Sequence, residues 1–387
     1  MSDRTYLDWN ATAPLRSAAR SATLAALDAT GNPSSVHAEG RAARRLIEEA
    51  RERVAALVAA EPRNVVFTSG GTEANMLALT PASARARLLV SAIEHPSVLA
   101  GGRFQAAAVE RLPVNGSGQI DLSALERRVA VSGDKAQASQ MLVSLMLANN
   151  ETGVVQPISQ VARLVHAAGF LLHVDAVQAV GRISCDINAL GADLLTVSGH
   201  KIGAPKGVGA LIRRDAALAI ADPLIKGGGQ ERGARAGTEN VAGIAGFGAA
   251  AAAALADLAV NRERMIALRD RLEARLKAVS PDIVIFGAEM ERVPNTTLFS
   301  ITGMKAETAI IAFDLEGVAV SAGAACSSGK VQPSHVLAAM GVPPQLAGGA
   351  IRVSLGPTTT EFEIDRFIDA WITVSGALLK ESQGIAA

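Results

Sequence analysis

Short apolar runs alternate with helical segments over residues 64–213. Five of these runs have the composition of buried strands: 65–68, 88–93, 141–147, 170–174 and 193–197. The segments between them suit crossover helices, which predicts a mostly parallel sheet with helices on both faces. Residues 42–60 are predicted to form a helix that leads into this sheet and places Ile47, Val54, Leu57 and Val58 toward the core.

Beyond residue 227 the pattern changes. A loop rich in glycine and arginine over 227–237 precedes a long helical stretch to about residue 279, then strand-like pieces at 296–301, 318–321 and 350–354. A C-terminal helix is predicted by apolar residues at helical spacing, which are Ile364, Phe367, Ile368, Trp371, Ile372, Leu378 and Leu379. We therefore expect a large α/β domain over 16–260. Residues 1–15 and 261–387 would form a smaller α+β domain that carries a mobile loop around Cys326.

Composition narrows the functional class. Of 387 residues, 49% are hydrophobic, which is ample for a core, and 37 basic residues balance 37 acidic ones. A chain without net charge lacks the electrostatic footprint of a nucleic-acid binder. No signal peptide is recognised, and the apolar stretch 241–260, which contains Asp257, is predicted to be an interior helix rather than a membrane span.

The chain has only two cysteines, Cys185 and Cys326, at positions 141 residues apart. We expect free thiols in a reducing cytoplasm rather than a disulfide. Two cysteines are also too few for a structural zinc site or an iron–sulfur cluster held by this chain alone. No resident metal is therefore predicted.

Lys201 stands in an unusual place for a charged side chain. It ends the segment Ser-Gly-His-Lys (198–201), directly after an apolar run, where a buried strand gives way to a tight loop. An ammonium group loses solvation there, and lysines usually avoid such positions. A Schiff-base lysine, whose amine must be neutral to react with a carbonyl, explains the position. A surface lysine whose stem lies along the strand end explains it equally well.

Asp175 favours the Schiff-base explanation. It follows the predicted strand 170–174 and precedes Lys201 by 26 residues, which leaves room for one crossover. Both residues would then stand at the carboxyl edge of one parallel sheet. A carboxylate there could keep a pyridinium nitrogen protonated, as an electron-sink cofactor requires. Without Lys201, a helix N-cap would be the better interpretation of Asp175.

Segment 68–73, Thr-Ser-Gly-Gly-Thr-Glu, is typical of a strand, a glycine turn and a helix start. Backbone N–H groups at such a helix start bind phosphate, although many α/β loops share the pattern. No Walker-type lysine and no G-x-G-x-x-G follows a strand, which argues against nucleotide and dinucleotide binding.

Two further residues could carry chemistry. Cys326 lies in the segment 321–330, where nearly every other residue is small or flexible, and such a loop suits a nucleophile that must travel. The alternative, a small buried residue, fits Cys185 better, because Cys185 lies in a run with Ile183 and Ile187. His95 follows the predicted strand 88–93 and is otherwise an ordinary loop histidine.

These segments resemble the cysteine desulfurases, a group of fold-type I pyridoxal-phosphate enzymes. The resemblance covers nearly the whole chain, from Tyr-Leu-Asp-Trp-Asn-Ala-Thr-Ala-Pro (6–14) to Ile-Arg-Val-Ser-Leu-Gly (351–356). It includes Gly-Asn-Pro-Ser-Ser (31–35), Asn-Asn-Glu-Thr-Gly (149–153) and Arg-Ala-Gly-Thr-Glu-Asn (235–240). It is closer to the long-loop subgroup, shared by nitrogen-fixation and general cluster-assembly enzymes, than to the short-loop subgroup.

The resemblance implies roles for the matching residues. Lys201 would form the Schiff base, Asp175 would pair with the pyridine nitrogen, Gln178 would reach the ring hydroxyl, and His95 would stack on the ring and move protons. Thr238 would come from the other subunit of a homodimer to the phosphate site. The remaining cofactor residues implied are Gly71, Thr72, Asn150, Ser198 and His200.

The substrate would be bound by its carboxylate. The resemblance implies that Asn150 and Arg352 hold this group, with Asn32 nearby, and a guanidinium suits a two-point grip on a carboxylate. L-cysteine would give L-alanine and a persulfide on Cys326. The sulfur would pass to an acceptor or scaffold protein for iron–sulfur cluster assembly, and Cys326 could also ligate a transferred cluster.

The chain departs from the family pattern in three places. Ala13 stands where a second threonine is usual, and Ser327 where threonine commonly follows the cysteine. The end, residues 379–387, lacks the Leu-Ser-Pro-plus-aromatic tail with which the subgroup docks scaffold proteins, so docking in that manner is not expected.

Three rival functions remain at this stage. An aminotransferase of the same fold would have no use for Cys326, whereas a selenocysteine lyase has nearly the same chemistry as a desulfurase. A non-catalytic sulfur- or cluster-binding scaffold would need more cysteines than Cys185 and Cys326.

Overall fold

The computed structural model describes residues 4–131, 141–218, 220, 222–323 and 333–384. Within them the strands are β1 Thr5–Tyr6, β2 Val65–Thr68, β3 Arg87–Ser91, β4 Val109–Leu112, β5 Met141–Met146, β6 Leu171–Asp175, β7 Leu194–Ser198, β8 Gly209–Arg213, β9 Val284–Ile285, β10 Thr296–Ser300, β11 Val318–Ala319, β12 Ser321–Ala322 and β13 Ile351–Ser354. The helices are α1 Ser17–Asp28, α2 Ala38–Leu57, α3 Gly71–Ala78, α4 Pro96–Leu99, α5 Leu122–Val131, α6 Ile158–Ala167, α7 Ile187–Leu190, α8 Val241–Ala256, α9 Leu258–Val279, α10 Ala306–Leu315, α11 His335–Ala339, α12 Pro344–Ala347 and α13 Glu361–Gly384.

Seven strands form the main sheet in the order β2-β8-β7-β6-β5-β3-β4. The neighbours from β7 to β4 pair in parallel, and only β8 runs antiparallel to the strands on both of its sides. The prediction of a mostly parallel sheet is therefore confirmed. Because parallel strands end at a common edge, Met146, Asp175 and Thr196 lie side by side in register.

The predicted strands agree with the structure to within about two residues at each end, and 65–68 matches β2. Two strands of the main sheet, β4 and β8, were not predicted, and neither were the two-residue strands β1 and β9 outside it. The run of β8 is a few residues long, begins with glycine and follows a loop, so its pattern does not distinguish an added antiparallel strand from an extended loop. Gly209 is required there, because a Cβ atom would lie 2.7 Å from the carbonyl carbon of Gly70.

The long helical stretch predicted to run to residue 279 is two helices. α8 ends at Ala256 and α9 begins at Leu258, and their axes are bent by 70° at the break. In the part of the chain that the structure describes, no single helix is long and apolar enough to cross a membrane, and only this bent pair, taken together, has that length and composition. The two helices differ in how much of their surface is apolar. α8 is apolar on all sides and packs against α1 and α2, whereas α9 buries one row of side chains.

A second sheet is antiparallel and has the order β12-β13-β10-β9. The single strand predicted over 318–321 is wrong: β11 pairs with β1, and β12 belongs to the antiparallel sheet. The core behind this sheet contains Phe299, Phe313, Phe367 and Trp371, whose rings pack edge to face or stacked at centroid distances of 5.2–6.3 Å.

The N-terminal segment joins this second core. Leu7 is fully buried in it, and β1 pairs with β11. A separate cluster of buried residues surrounds the main sheet and extends through α8. This packing agrees with two domains, although the boundary between residues 260 and 261 stays a prediction.

Candidate active site

Lys201 lies at the carboxyl edge of the main sheet. β7 ends at Ser198, and the next three residues, Gly199–Lys201, form a single 3₁₀ turn. The Lys201 Nζ atom donates hydrogen bonds to the backbone oxygens of Asn10 at 2.5 Å and Ala11 at 3.0 Å. The predicted strand end is therefore confirmed, and the lysine points inward across the chain's N-terminal segment rather than into solvent.

The surroundings of Lys201 favour an uncharged amine. The pKa of Lys201 is lowered to about 7. Burial contributes most, and the positive charges of Arg182 and Arg352 act in the same direction. The negative charges of Asp8 and Asp175 act in the opposite direction. An amine with a pKa near 7 is available as a nucleophile at neutral pH, where an ordinary lysine is almost fully protonated.

Asp175 is the last residue of β6 and is 5% exposed. Its Oδ1 accepts from the Val177 backbone N–H at 2.9 Å, as a cap would, and its Oδ2 accepts from Asn75 Nδ2 at 2.8 Å. Carboxylate oxygens accept more than one hydrogen bond, so the cap does not prevent Asp175 from also pairing with a cation in the cavity.

His95 is held by the residue two positions later. Its Nδ1 lies 2.8 Å from Ser97 Oγ and accepts from the Ser97 backbone N–H at 3.2 Å, while Asn75 donates to the same Oγ at 2.9 Å. Because Nδ1 is an acceptor, the neutral ring carries its hydrogen on Nε2. Burial lowers the pKa of His95, which favours the neutral ring; Asp175 opposes this shift, and Lys201 and His335 add to it.

Small residues form a cradle beside α3. A Cβ atom on Gly71 would lie 3.0 Å from Val177 Cγ2 and 3.4 Å from Ser198 Cβ, so the backbone is closely approached there. No side-chain hydrogen bond caps the start of α3 at Gly70. The N–H groups of the first turn have no partner within a helix, so they are available to an anion.

His200 closes the same cradle from the β7 side. Its Nδ1 lies 3.2 Å from Thr12 Oγ1. Burial lowers its pKa to about 4, and the charges of Lys201, Lys206 and Arg182 act in the same direction. His200 is therefore a neutral hydrogen-bonding group at pH 7.

Gln178 is fixed from two sides. Its Nε2 donates to the Asn10 backbone oxygen at 3.0 Å, and its Oε1 accepts from Arg182 Nη1. The Asn10 oxygen is the same atom that accepts from Lys201. Asn10 is itself tied to the second domain, because its Nδ2 donates to Thr296 Oγ1 at 2.9 Å.

Arg352, in β13, is 6% exposed and reaches the site from the antiparallel sheet. It donates to the Asn150 backbone oxygen at 2.9 Å and to Asp8 Oδ1 at 2.8 Å. Asn150 Oδ1 and Arg352 Nε are both buried without a hydrogen-bond partner. Buried polar atoms seldom remain unsatisfied, so this pair fits a site that a polar ligand completes.

One cavity of about 240 Å³ collects most of these groups. Nine of the ten residues predicted to bind the cofactor line it, together with side chains that were not predicted, among them Asn75 and Ser97. The predicted residues in the lining are Gly71, Thr72, His95, Asn150, Asp175, Gln178, Ser198, His200 and Lys201.

The donor set fits pyridoxal phosphate. A helix start and a close-approach glycine suit its phosphate, Asp175 suits a pyridinium nitrogen, Gln178 suits a phenolic oxygen, and Lys201 suits an aldehyde. The unsatisfied Asn150 Oδ1 adds a buried polar atom that awaits a partner.

Three predicted residues are not in this lining. Thr238 and Asn32 are exposed, and Asn32 Oδ1 accepts from the Ser34 backbone N–H at 2.9 Å within a turn. Arg352 approaches the site through Asn150 instead. Cys326 lies outside the described residues. Among the residues described, no group of three or more His, Cys, Asp and Glu side chains could hold a metal ion.

Sequence reasoning missed Asn75, Asn10 and Arg182. Each is at least 94% buried. A buried asparagine or arginine is a signal of a buried hydrogen-bond network. The partners, however, lie up to 344 residues away along the chain, as Asn10 and Ser354 do, and are visible only in the fold.

The chain is similar to known proteins over almost all of its length. The family model described as Aminotransferase class-V matches residues 5–367. A protein of Cereibacter sphaeroides named cysteine desulfurase is 44% identical over 95% of this chain and 94% of its own length. A protein of Dictyoglomus turgidum named cysteine desulfurase IscS is 39% identical over the same shares. Among solved structures, a NifS-like protein from Rickettsia africae is 37% identical with a TM-score of 0.88, covering 96% of this chain and 99% of its own.

Proposed function

The chain belongs to the class-V aminotransferase family and is a pyridoxal-phosphate-dependent cysteine desulfurase, and we propose that it converts L-cysteine to L-alanine with Lys201 and Cys326 as its reactive groups. The observation that carries the assignment of the residues is the cavity in which Lys201, Asp175 and Gly71 meet. Nearly full-length similarity to several desulfurases supports the substrate.

The cofactor, when bound, supplies an electron sink for the bond changes at the α-carbon of the substrate. Lys201 would hold it covalently, because a pKa of about 7 leaves much of the amine uncharged at neutral pH. Asp175 would keep the ring nitrogen protonated. Thr72, Ser198 and His200 would hold the phosphate through neutral hydrogen bonds, together with the N–H groups of α3.

Substrate binding and proton movement fall to other residues. Arg352, whose buried Nε–H has no partner, would bind the substrate carboxylate together with the amide N–H of Asn150. His95, whose Nδ1 is held by Ser97 and whose Nε2 carries the hydrogen in the neutral ring, would stack on the cofactor and move protons. The Cys326 thiolate takes the substrate sulfur, so that cysteine and an enzyme thiol give alanine and an enzyme persulfide.

A direct assay tests this function. The holoenzyme is incubated with L-cysteine, and released alanine is measured together with the mass of the intact chain. Equal amounts of alanine and added sulfur in the first turnover support the desulfurase. Transfer of the amino group to a keto acid, without alanine, would support the aminotransferase instead. Faster release from L-selenocysteine than from L-cysteine would favour the selenocysteine lyase.

We also propose that the active sites are composite in a homodimer. Thr238 is exposed and does not line the cavity of its own chain, while Arg235 in the same loop donates to Glu73 Oε1 at 3.2 Å, next to Thr72. A loop anchored beside the cradle of one protomer and presenting an exposed threonine fits a contribution to its partner's phosphate site.

Complementation separates composite from self-contained sites. Lys201→Ala and Thr238→Glu should each be inactive, the second because its carboxylate repels the phosphate. A mixture should recover about a quarter of wild-type activity, since half of the dimers are mixed and each has one intact site. A mixture with no activity, or a fully active monomer, would contradict the proposal.

The sulfur acceptor is proposed to be an iron–sulfur scaffold or another sulfur-transfer protein. The reaction is proposed to take place in the cytoplasm, where a free thiol such as that of Cys185 persists.

A further inference from the structure

Arg182 is a buried cation with no role in the reaction described so far. It is 6% exposed, four residues after Gln178, and its Nη1 donates to both the backbone oxygen and Oε1 of Gln178. Among the described residues it forms no ion pair with a carboxylate. Burial lowers its pKa to about 9, and the charge of Arg352 acts in the same direction. A guanidinium kept in such surroundings costs folding stability, so a structural role alone does not account for it.

We propose that Arg182 is a positioning residue that fixes the amide of Gln178 and keeps the amine of Lys201 uncharged. The inference rests on the proposed function, because it concerns how these two residues meet the cofactor.

The first half of the proposal follows from hydrogen-bond chemistry. A guanidinium only donates, and an amide has one accepting end and one donating end. Arg182 therefore holds the oxygen of Gln178, and the amide nitrogen must face the opposite way, toward the Asn10 oxygen at 3.0 Å. With Arg182 absent, the amide could rotate by half a turn. It would then present an oxygen where the cofactor needs a donor to its phenolic oxygen.

The second half follows from position. Arg182 and Lys201 line the same cleft of about 570 Å³, which opens beside the cofactor cavity and also contains Arg16 and Asp257. Lys201 donates to the Asn10 oxygen that Gln178 also uses, so the two cations lie at the ends of one short chain of hydrogen bonds. Arg182 is 6% exposed, and a buried positive charge near an amine disfavours the amine's protonated form.

The groups around Lys201 have opposing effects. Arg352 also lowers its pKa, and Asp8 and Asp175 raise it, with His95 and His200 close by and neutral. Asp8 is paired with Arg352. After burial, Arg182 is the largest influence on Lys201, and it has no carboxylate to offset it.

The test is the pH dependence of the rate at which pyridoxal phosphate attaches to the cofactor-free full-length protein, followed by visible absorbance. Arg182→Met should raise the midpoint of this pH profile by about one unit, because the positive charge near the Lys201 amine is lost. Arg182→Lys should keep the midpoint within about 0.3 unit of wild type, since it retains the charge. Arg16→Met is the matched control: it lines the same cleft, but it is paired with Asp257 at 2.9 Å, so the midpoint should not move.

The dissociation constant of the cofactor tests whether Arg182 positions the amide of Gln178. Gln178→Ala and Arg182→Met should each weaken cofactor binding, and the double variant should be little weaker than Gln178→Ala, because Arg182 acts on the cofactor contact through Gln178. Additive losses would overturn the positioning role, and an unchanged midpoint in Arg182→Met would overturn the electrostatic role. If Arg182→Met does not fold, Arg182→Gln takes its place with the same expectations. If wild type itself binds no pyridoxal phosphate, the proposed function fails instead, which keeps the two failures distinct.

Discussion

Asn75 donates one amide N–H to Asp175 Oδ2 over 2.8 Å and the other to Ser97 Oγ over 2.9 Å. This side chain in α3 therefore joins Asp175, the carboxylate proposed to pair with the ring nitrogen, to the serine that holds His95. Its own oxygen is buried without a partner, which indicates that the two donated hydrogen bonds set its orientation.

Replacing Asn75 should disturb both partners together. Asn75→Ala leaves Asp175 with one fewer donor and frees Ser97, so we expect kcat to fall about tenfold while the fold persists. The measurement is steady-state alanine release with circular dichroism of the variant. Asn188→Ala is the control, because Asn188 does not line the cavity and its amide donates to the Ala59 backbone oxygen at 3.0 Å. Normal turnover by Asn75→Ala would show that Asp175 and His95 need no such link.

Asp175→Asn should retain the fold and lose on the order of 10²-fold or more in rate, because a neutral amide cannot stabilise a protonated ring nitrogen. The Val177 backbone N–H donates equally well to an asparagine oxygen, so stability is nearly unchanged. Rate and thermal midpoint are measured on the same sample. Asp186→Asn is the control, since Asp186 caps α7 and lies outside the cavity. Wild-type rates in Asp175→Asn would show that the carboxylate is only a cap.

Much of this site was predictable, because residues that follow the ends of parallel strands lie together at one edge of the sheet. Lys201 and Asp175 could be placed together from two apolar runs and the rule that parallel strands end at one edge. The strand β8 could not be foreseen, because strand direction is not encoded in a run of alternating small and apolar residues. Asn10 and Arg182 were missed for a different reason. Asn10 acts through its backbone oxygen and Arg182 through its charge, and neither effect requires a recognisable sequence motif.

Lys201→Ala should abolish covalent attachment of the cofactor and reduce turnover by on the order of 10³-fold or more. Borohydride reduction of the wild-type holoenzyme followed by peptide mapping should label Lys201. Lys206→Ala, which removes an exposed lysine from the same loop, should attach the cofactor and turn over normally. A label on Lys206 or Lys226 would transfer the role to that residue.

The lowered pKa of Lys201 gives a pH dependence with a definite sign. Only the neutral amine attacks the cofactor aldehyde, and the neutral fraction rises with pH until it passes the pKa. For Lys201 that point is about 7, since burial and the charges of Arg182 and Arg352 lower it. The rate of cofactor attachment to cofactor-free protein should therefore rise from pH 6 to about pH 8 and then level off. A rate that keeps rising tenfold per pH unit to about pH 10 would show an ordinary, solvated lysine.

The two cysteines should behave in opposite ways. Cys185 is 2% exposed, its Sγ lies 3.5 Å from the Ile183 backbone oxygen, and burial raises the pKa of its thiol to about 12. A thiol that is buried and protonated at neutral pH is a poor nucleophile, so Cys185 is excluded as the sulfur acceptor on physical grounds. The role then falls to Cys326, the only other cysteine in the sequence.

Cys326→Ser should bind pyridoxal phosphate and L-cysteine normally, because neither step uses the thiol. It should then stall, with no added sulfur on the chain and almost no alanine, whereas Cys185→Ala should release alanine at the wild-type rate. Mass spectrometry of each variant after one turnover, with alanine measured in parallel, distinguishes the outcomes. Sulfur found on Cys185, or normal turnover by Cys326→Ser, would contradict the mechanism. The expected result, binding of L-cysteine without alanine release in Cys326→Ser, would show that sulfur removal requires the thiol. Every residue proposed to contact the cofactor is still present in that variant.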